Sequence, residues 1–183
     1  MNRLRKKYRL HALIWLLCIY ASLPIARPLT EFLRTKIPLN PLITLSFFIT
    51  FLWINFVLIK KIKIKKRSSY VLLAAITLVG IFILNYIKIP EEKIHFLQYG
   101  LLAFLIHRAL TWDVSKIKSY WITLILTSAC GWIDEGLQHL LPRRYYDTRD
   151  VLFNILGGIL GLCVVFIIRM EDTKKIFEEP NNP

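Results

Sequence analysis

Side chains that could bind or transform a ligand are concentrated in the second half of the chain, at the ends of apolar stretches. His95 and Tyr99 stand four residues apart, so on a helix they share one face, with Gln98 beside them. Asp134-Glu135-Gly136-Leu137-Gln138-His139 closes the next apolar stretch. Imidazoles and carboxylates exchange protons, and carboxamides donate and accept hydrogen bonds. These residue types indicate a polar site for an ionic or hydroxyl-bearing ligand.

A second group of polar residues opens the last apolar stretch. The pair Arg143-Arg144 precedes it, Asp150 begins it, and Asn154 lies one turn deeper on the same face. At 1.5 Å per residue, Glu135 lies about 9 Å and Asn154 about 6 Å from the ends of their helices. The two groups are therefore predicted to meet at a similar depth.

Of the two adjacent carboxylates, Glu135 is the one we predict to face the site. Asp134 and Glu135 point about 100° apart on a helix, so both cannot aim squarely at one pocket. Gln138 and His139 follow Glu135 at three and four residues, and Gly136 leaves room nearby. Asp134 is expected to pair with a neighbour or to extend towards the surface.

Several of these residues also have a purely structural interpretation. Asp150 stands where the N-cap of a helix is expected, and Arg143 could bind lipid phosphate at the membrane interface. A lone histidine such as His95 is more often an interfacial residue than a catalyst. His107, beside Arg108, is interpreted as an anchor at the membrane interface. The location of so many polar groups at one depth favours a functional site.

The elements that would carry these residues are membrane helices. The 183-residue chain is 55% hydrophobic, with a mean hydropathy of +0.48. Six stretches are long enough, or nearly so, to cross a membrane as helices, since about 20 apolar residues are needed. They lie at about 11–28, 42–59, 70–89, 94–110, 119–141 and 150–169. We predict an all-α, polytopic transmembrane bundle of about six helices.

Charge predicts the orientation of this bundle. The net charge is +13, but the basic residues separate the apolar stretches instead of covering a soluble face, so a nucleic-acid partner is not expected. The alternate gaps that include both termini hold about two thirds of the 25 Lys and Arg residues. The positive-inside rule then predicts cytoplasmic termini and an outward-facing polar site.

The domain prediction is simple. Residues 1–170 are predicted to form one transmembrane domain, because no linker or long loop interrupts them. Residues 171–183 are polar, end in Pro-Asn-Asn-Pro, and are predicted to be a disordered tail. Gly157 and Gly161 form a small face that either packs inside the bundle or supports a homo-oligomer.

Two segments of the chain resemble the VanZ-like family. The first is Lys93-Ile94-His95-Phe96-Leu97-Gln98-Tyr99, which follows the pattern of a His, an aromatic residue and a Tyr at the head of a helix. The second is the succession Glu135, Gln138, Arg144, Asp147, Asp150, Asn154, Gly157 and Gly161. The match covers about 84–166. Arg143 replaces the glycine often found in the family, so both arginines remain candidates for the pocket.

The resemblance implies a multi-pass protein of a prokaryotic cytoplasmic membrane, similar to a determinant of low-level teicoplanin resistance. It implies no reaction. The function we predict is binding or modification of a cell-envelope lipid or lipid-linked wall precursor, without cofactor or metal. In an enzymatic version, His95 would be a general acid–base oriented by Asp150 or Glu135. The predicted binding residues are Tyr99, Gln138, Arg144, Asp147 and Asn154.

A second interpretation stays open from the sequence. The polar groups could form a non-catalytic hydrogen-bond network that holds the last three helices together in an accessory or structural protein. Transport is the least favoured alternative, because the chain has no inverted repeat.

Overall fold

Over the part of the chain that the structure describes, the fold is an all-α bundle of six helices. The computed structural model describes residues 2–142 and 144–171, without the side chains of residues 2, 3 and 91. The helices are α1 (Asn2–Arg34), α2 (Leu39–Phe56), α3 (Arg67–Tyr86), α4 (Pro90–Leu110), α5 (Lys116–His139) and α6 (Thr148–Met170). A π-helical turn at Val57–Lys61 continues α2. The predicted fold class and helix number are confirmed.

The observed helices are longer than most of the predicted apolar stretches. The largest difference is in α1, which was predicted at about 11–28 and extends over Asn2–Arg34, with Pro24 and Pro28 inside it. Hydropathy identifies only the apolar part of a helix, whereas Lys and Arg are good helix formers and continue it beyond that part. The basic segment before the apolar stretch is therefore helical.

Four of the six helices are long and apolar enough to cross a membrane. They are α1, α2 with its π-helical turn, α3 and α6. The two described helices that fall short of this criterion, α4 and α5, carry His95, Asp134, Glu135 and Gln138. Their polar residues lower their mean hydropathy, and these are the residues proposed for the site.

The closest helix pair is α4 and α6, which pack through glycines. A Cβ atom built on Gly157 would overlap the carbonyl oxygen of Phe96, and one built on Gly161 would overlap that of Gly100. Small residues at such positions allow two helix backbones to approach closely. The small-residue face of α6 is therefore used inside the chain.

His107 has a different position from the one predicted. It was interpreted as an interfacial anchor, but its side chain is completely buried. Its Nε2 lies 3.2 Å from the hydroxyl of Ser119 on α5, and its ring lies against Tyr120. The anchor prediction is wrong because the first turn of α5 covers this end of α4, which the sequence of α4 alone does not reveal.

Glu171, the first residue of the predicted tail, connects α6 to α3. Its carboxylate accepts hydrogen bonds from the backbone N–H groups of Lys65 (2.9 Å) and Lys66 (3.1 Å) and from the Ser69 hydroxyl (2.5 Å). Lys66 is the N-cap of α3 and makes no side-chain cap of its own. Glu171 therefore caps α3 from a distant part of the chain. Residues 172–183, the rest of the predicted tail, lie outside the described residues.

Replacement of Glu171 with glutamine is expected to lower the free energy of unfolding by about 1 kcal/mol at neutral pH, as for loss of a helix cap. Burial alone would raise the pKa of Glu171, but the hydrogen bonds from Ser69, Lys65 and Lys66 outweigh it and lower the pKa. Because the pKa of Glu171 is lowered in the folded state, its carboxylate stabilises the protein at pH values above the ordinary carboxyl pKa. This stabilisation is lost as the pH falls through the folded-state pKa.

The measurement is thermal unfolding of the detergent-solubilised protein over a pH series. The difference in unfolding temperature between wild type and Glu171→Gln should be largest near neutral pH and should disappear at acid pH. Glu31→Gln is the matched control, because Glu31 is 58% exposed and pairs only with Arg27 one turn away among the contacts described. A pH-independent difference between Glu171→Gln and wild type would contradict the capping role.

Candidate functional site

The predicted site residues come together where the start of α4, the end of α5 and the start of α6 meet. His95 is 7% exposed, Asp134 is fully buried, and Glu135, Gln138 and Asn154 are at most 2% exposed. Together with Arg144 and Asp150, these residues are called the polar cluster below. Buried polar groups normally find hydrogen-bond partners, so each contact in the cluster is informative.

His95 is paired with a carboxylate, but it is not one of those expected. Its Nδ1 lies 3.3 Å from Oδ2 of Asp134, whereas Glu135 or Asp150 was predicted to orient it. Gln138 also donates from Nε2 to the same oxygen, at 3.4 Å. Asp134 therefore pairs with neighbours inside the protein and does not extend to the surface.

Both adjacent carboxylates are buried because α5 has neighbours on two sides. Asp134 faces α4, where His95 lies, and Glu135 faces the segment before α6. The argument from the 100° separation is correct as geometry, since the two side chains meet different elements. Both side chains nevertheless belong to the polar cluster, Asp134 through His95 and Gln138 and Glu135 through the N–H of Asp147. Gly136 was expected to leave room nearby, and there is open space at this position, since a Cβ built there meets no atom within 4 Å.

Glu135 fixes the segment that leads into α6. Its Oε1 accepts a hydrogen bond of 2.7 Å from the backbone N–H of Asp147. A buried carboxylate that holds a loop in this way sets the position of the residues that follow. Its second oxygen, Oε2, is buried and has no protein partner among the described residues.

Arg144 reaches the polar cluster from the loop between α5 and α6. Its Nη1 donates to Oε1 of Gln138, and its Nη2 is buried without a described protein partner. Arg143, the other candidate arginine, lies outside the described residues. Of the two, Arg144 is thus seen to contact the cluster, through the glutamine that also contacts Asp134.

The N-cap of α6 is Asp147, and the prediction that Asp150 has this role is wrong. Oδ1 of Asp147 accepts a hydrogen bond of 2.9 Å from the backbone N–H of Arg149, and its carboxylate also pairs with the Arg149 side chain. These hydrogen bonds lower the pKa of Asp147 below its ordinary range. Asp150 is half-buried in the first turn of α6.

Tyr99 and Gly131 lie next to the polar cluster. The Tyr99 side chain is completely buried, and its hydroxyl donates to the carbonyl of Cys130 at 3.1 Å. A Cβ built on Gly131 would lie 3.0 Å from Cβ of Asn154 and 3.6 Å from the Tyr99 ring. Gly131 was not identified from the sequence, since a lone glycine within a helix carries no signal of what packs against it.

Seven polar atoms in the cluster are buried and make no hydrogen bond to the protein among the described residues. They are His95 Nδ1, Asp134 Oδ1, Glu135 Oε2, Arg144 Nη2, Asp150 Oδ1, and Nδ2 and Oδ1 of Asn154. They include both donors and acceptors, together with one fixed positive charge. Such a set can bind a ligand that carries an anionic group and hydroxyl or amide groups.

Within residues 2–142 and 144–171, no group of three His, Cys, Asp or Glu side chains is arranged to hold a metal ion. The ring of His139 lies against the Tyr146 ring.

The chain was compared with known proteins in three ways. Residues 9–169 match the protein-family model described as VanZ/LLP1, which covers most of the chain. Neither the search of curated proteins nor the search of solved structures gave a match.

Proposed function

The chain belongs to the VanZ/LLP1 family, a family of membrane proteins, and from this premise we propose that its polar cluster binds the phosphate-bearing headgroup of a cell-envelope lipid or lipid-linked wall precursor. The observation that carries the proposal is the set of seven buried polar atoms that make no hydrogen bond to the described residues. An unpartnered buried polar group costs about 1–3 kcal/mol. A network that served only to hold helices together would be expected to satisfy them.

Each part of such a ligand has a suitable partner in the cluster. The Nη2 group of Arg144 is a charged donor for a phosphate oxygen, because guanidinium and phosphate form short charge-assisted hydrogen bonds. Oε2 of Glu135 can accept from a hydroxyl or amide group, and the Asn154 carboxamide can both donate and accept. The ligand is thus a molecule with a phosphate next to a sugar, glycerol or amide.

The proposal includes an orientation. All six helices cross the cytoplasmic membrane of a prokaryote, both termini lie in the cytoplasm, and the polar cluster opens towards the outside. The support is the excess of Lys and Arg in the gaps on the side of the termini. If the protein changes a wall precursor that binds at this site, the susceptibility of the cell to glycopeptides, which bind at the outer surface, would change.

The contact between His95 and Asp134 favours a catalytic form of the same proposal. In this form the ring proton lies on Nδ1, the nitrogen 3.3 Å from Oδ2 of Asp134, and Nε2 is the basic nitrogen. In a hydrolysis or transfer reaction, Nε2 would take the proton from the attacking water or hydroxyl and give it to the leaving oxygen. Asp134 would stabilise the imidazolium formed between these two steps.

The test is Glu135→Gln, expressed at the same level as wild type and followed by mass spectrometry of lipids and wall precursors. The variant keeps an oxygen for the Asp147 N–H but loses the carboxylate oxygen offered to the ligand. We expect a species that changes with wild type to stay unchanged with Glu135→Gln. Glu31→Gln, on the surface of α1, is the matched control and should behave as wild type.

Thermal unfolding of the same two variants separates binding from a structural role. A binding site is expected to keep or gain stability on Glu135→Gln, because sites for ligands are seldom optimised for stability. A loss of about 2 kcal/mol or more, with unchanged lipid and precursor pools, would favour the structural network.

A further inference from the structure

Lys93 is a buried cation on the side of α4 that faces away from the polar cluster. It precedes His95 by two residues, which places the two side chains about 200° apart on a helix. It is 4% exposed, and its Nζ donates to Oδ1 of Asn40 (2.8 Å) and Oγ1 of Thr44 (2.7 Å) on α2. Both partners are neutral, so they do not offset the charge of the ammonium group.

A cavity of about 660 Å³ lies beside Lys93, between α2, α3 and the start of α4. Its lining changes in character along α2. Asn40 and Thr44 line the end where α2 begins, and Phe48 and Phe51 line it deeper in the bundle. Lys88, whose charge acts on Lys93, lines the polar end as well. The cavity therefore has a cationic, amide-rich end and an aromatic end.

We propose that this cavity, called the Lys93 groove, holds an anionic membrane phospholipid, with the phosphate at Lys93 and Lys88 and one acyl chain along Phe48 and Phe51. The third N–H of the Lys93 ammonium is available for a phosphate oxygen, since a lysine has three donors and the described residues accept from two of them. Two lysines near each other repel, and a phosphate between them offsets that repulsion.

The dimensions of the groove match one leaflet of a membrane. From Asn40 to Phe51, α2 rises by about 16 Å, and half of the hydrocarbon thickness of a bilayer is about 15 Å. The polar end lies at the start of α2, where a headgroup would be, and Leu45 and Phe48 on the rim are 54% and 48% exposed. A free phosphate would use only the polar end and would leave this apolar part without a ligand.

The shape of the groove depends on Gly80 of α3. A Cβ built on Gly80 would overlap the ring of Phe51, so glycine at this position lets the ring lie against the α3 backbone. The ring thereby closes the deep end of the cavity. The Lys93 groove shares no side chain with the polar cluster, and the proposal for it does not depend on what the polar cluster binds.

The experiment is native mass spectrometry of the full chain, delipidated in detergent and titrated with phosphatidylglycerol, phosphatidylcholine or inorganic phosphate. Wild type is expected to bind phosphatidylglycerol about tenfold more tightly than phosphatidylcholine, because both carry a phosphate but the choline cation offsets its charge and is repelled by Lys93 and Lys88. In Lys93→Met, which keeps the length of the side chain, the affinity for phosphatidylglycerol should fall about tenfold to that for phosphatidylcholine.

Three further variants make the outcome specific. Leu45→Trp, which fills the rim of the apolar part without changing a charge, should weaken binding of both lipids. Lys118→Met, at an exposed position at the start of α5, should match wild type. If Lys93→Met does not fold, Lys88→Gln should reduce the preference for phosphatidylglycerol.

Three results would overturn the proposal. The first is equal affinity of wild type for the two lipids, and the second is a preference for phosphatidylglycerol that persists in Lys93→Met or, if that variant does not fold, in Lys88→Gln. The third is displacement of phosphatidylglycerol by millimolar inorganic phosphate, which would indicate a site for a free anion and no role for the apolar part of the groove.

Discussion

Gly161→Ala is expected to destabilise the protein by about 3 kcal/mol, the upper part of the range for overpacked cores. The added methyl group would overlap the carbonyl oxygen of Gly100, which belongs to the backbone of α4. A side chain could rotate away from it, but a helix backbone can give way only if α4 and α6 move apart. For a chain of this size, such a loss lowers the thermal unfolding temperature by roughly 6–12 °C.

Gly136→Ala is the matched control, because a Cβ at Gly136 meets no atom within 4 Å. The same substitution there should be neutral or stabilising, since alanine is a better helix former than glycine by about 1 kcal/mol. Both variants are measured by thermal unfolding in one detergent. Similar unfolding temperatures for Gly161→Ala and Gly136→Ala would contradict the close packing of α4 on α6.

The six helices could be predicted from the sequence because long apolar stretches separated by charged residues have few other interpretations. Their ends could not be predicted as well. The basic start of α1 is helical without being apolar, and hydropathy contains no information about it. The burial of His107 was missed for a related reason, since Ser119 and Tyr120 cover it from the next helix.

The location of the candidate site could also be predicted, because polar residues are costly in a membrane and they gather at three helix ends. Glu135, Gln138, Arg144 and Asn154 do meet there. The partner of His95 could not be predicted. The partner of His95 depends on which face of α5 packs against α4. This rotation of α5 about its own axis is set by packing across the whole bundle.

The assignment of the cap of α6 shows a similar limit. Both Asp147 and Asp150 are suitable residues for an N-cap, and their positions differ by less than one helical turn. The structure places Asp147 at the cap, where its side chain accepts from Arg149, and the N–H of Asp147 is bound by Glu135. A long-range contact therefore selects between two candidates that local preference cannot distinguish.

If the polar cluster is catalytic, Asp134→Asn is expected to bind the lipid or wall precursor that wild type changes, and to convert it about 10²–10⁴-fold more slowly. Asparagine has nearly the same shape as aspartate, but it lacks the charge that stabilises a protonated His95 and fixes its tautomer. The measurement is the time course of whichever species wild type changes, at matched expression. Glu31→Gln serves again as the control, with a rate equal to that of wild type.

Combining this variant with His95→Ala distinguishes a catalytic pair from two independent contributions. If Asp134 acts through His95, removing the imidazole leaves the carboxylate with nothing to orient, so the double variant should be no slower than His95→Ala alone. Two side chains that contributed independently would instead give losses that multiply. A pair that only supports the fold would lose stability together with activity, which thermal unfolding of the three variants would show. Equal conversion by wild type and Asp134→Asn would remove the catalytic form and leave His95 and Asp134 as part of a binding site.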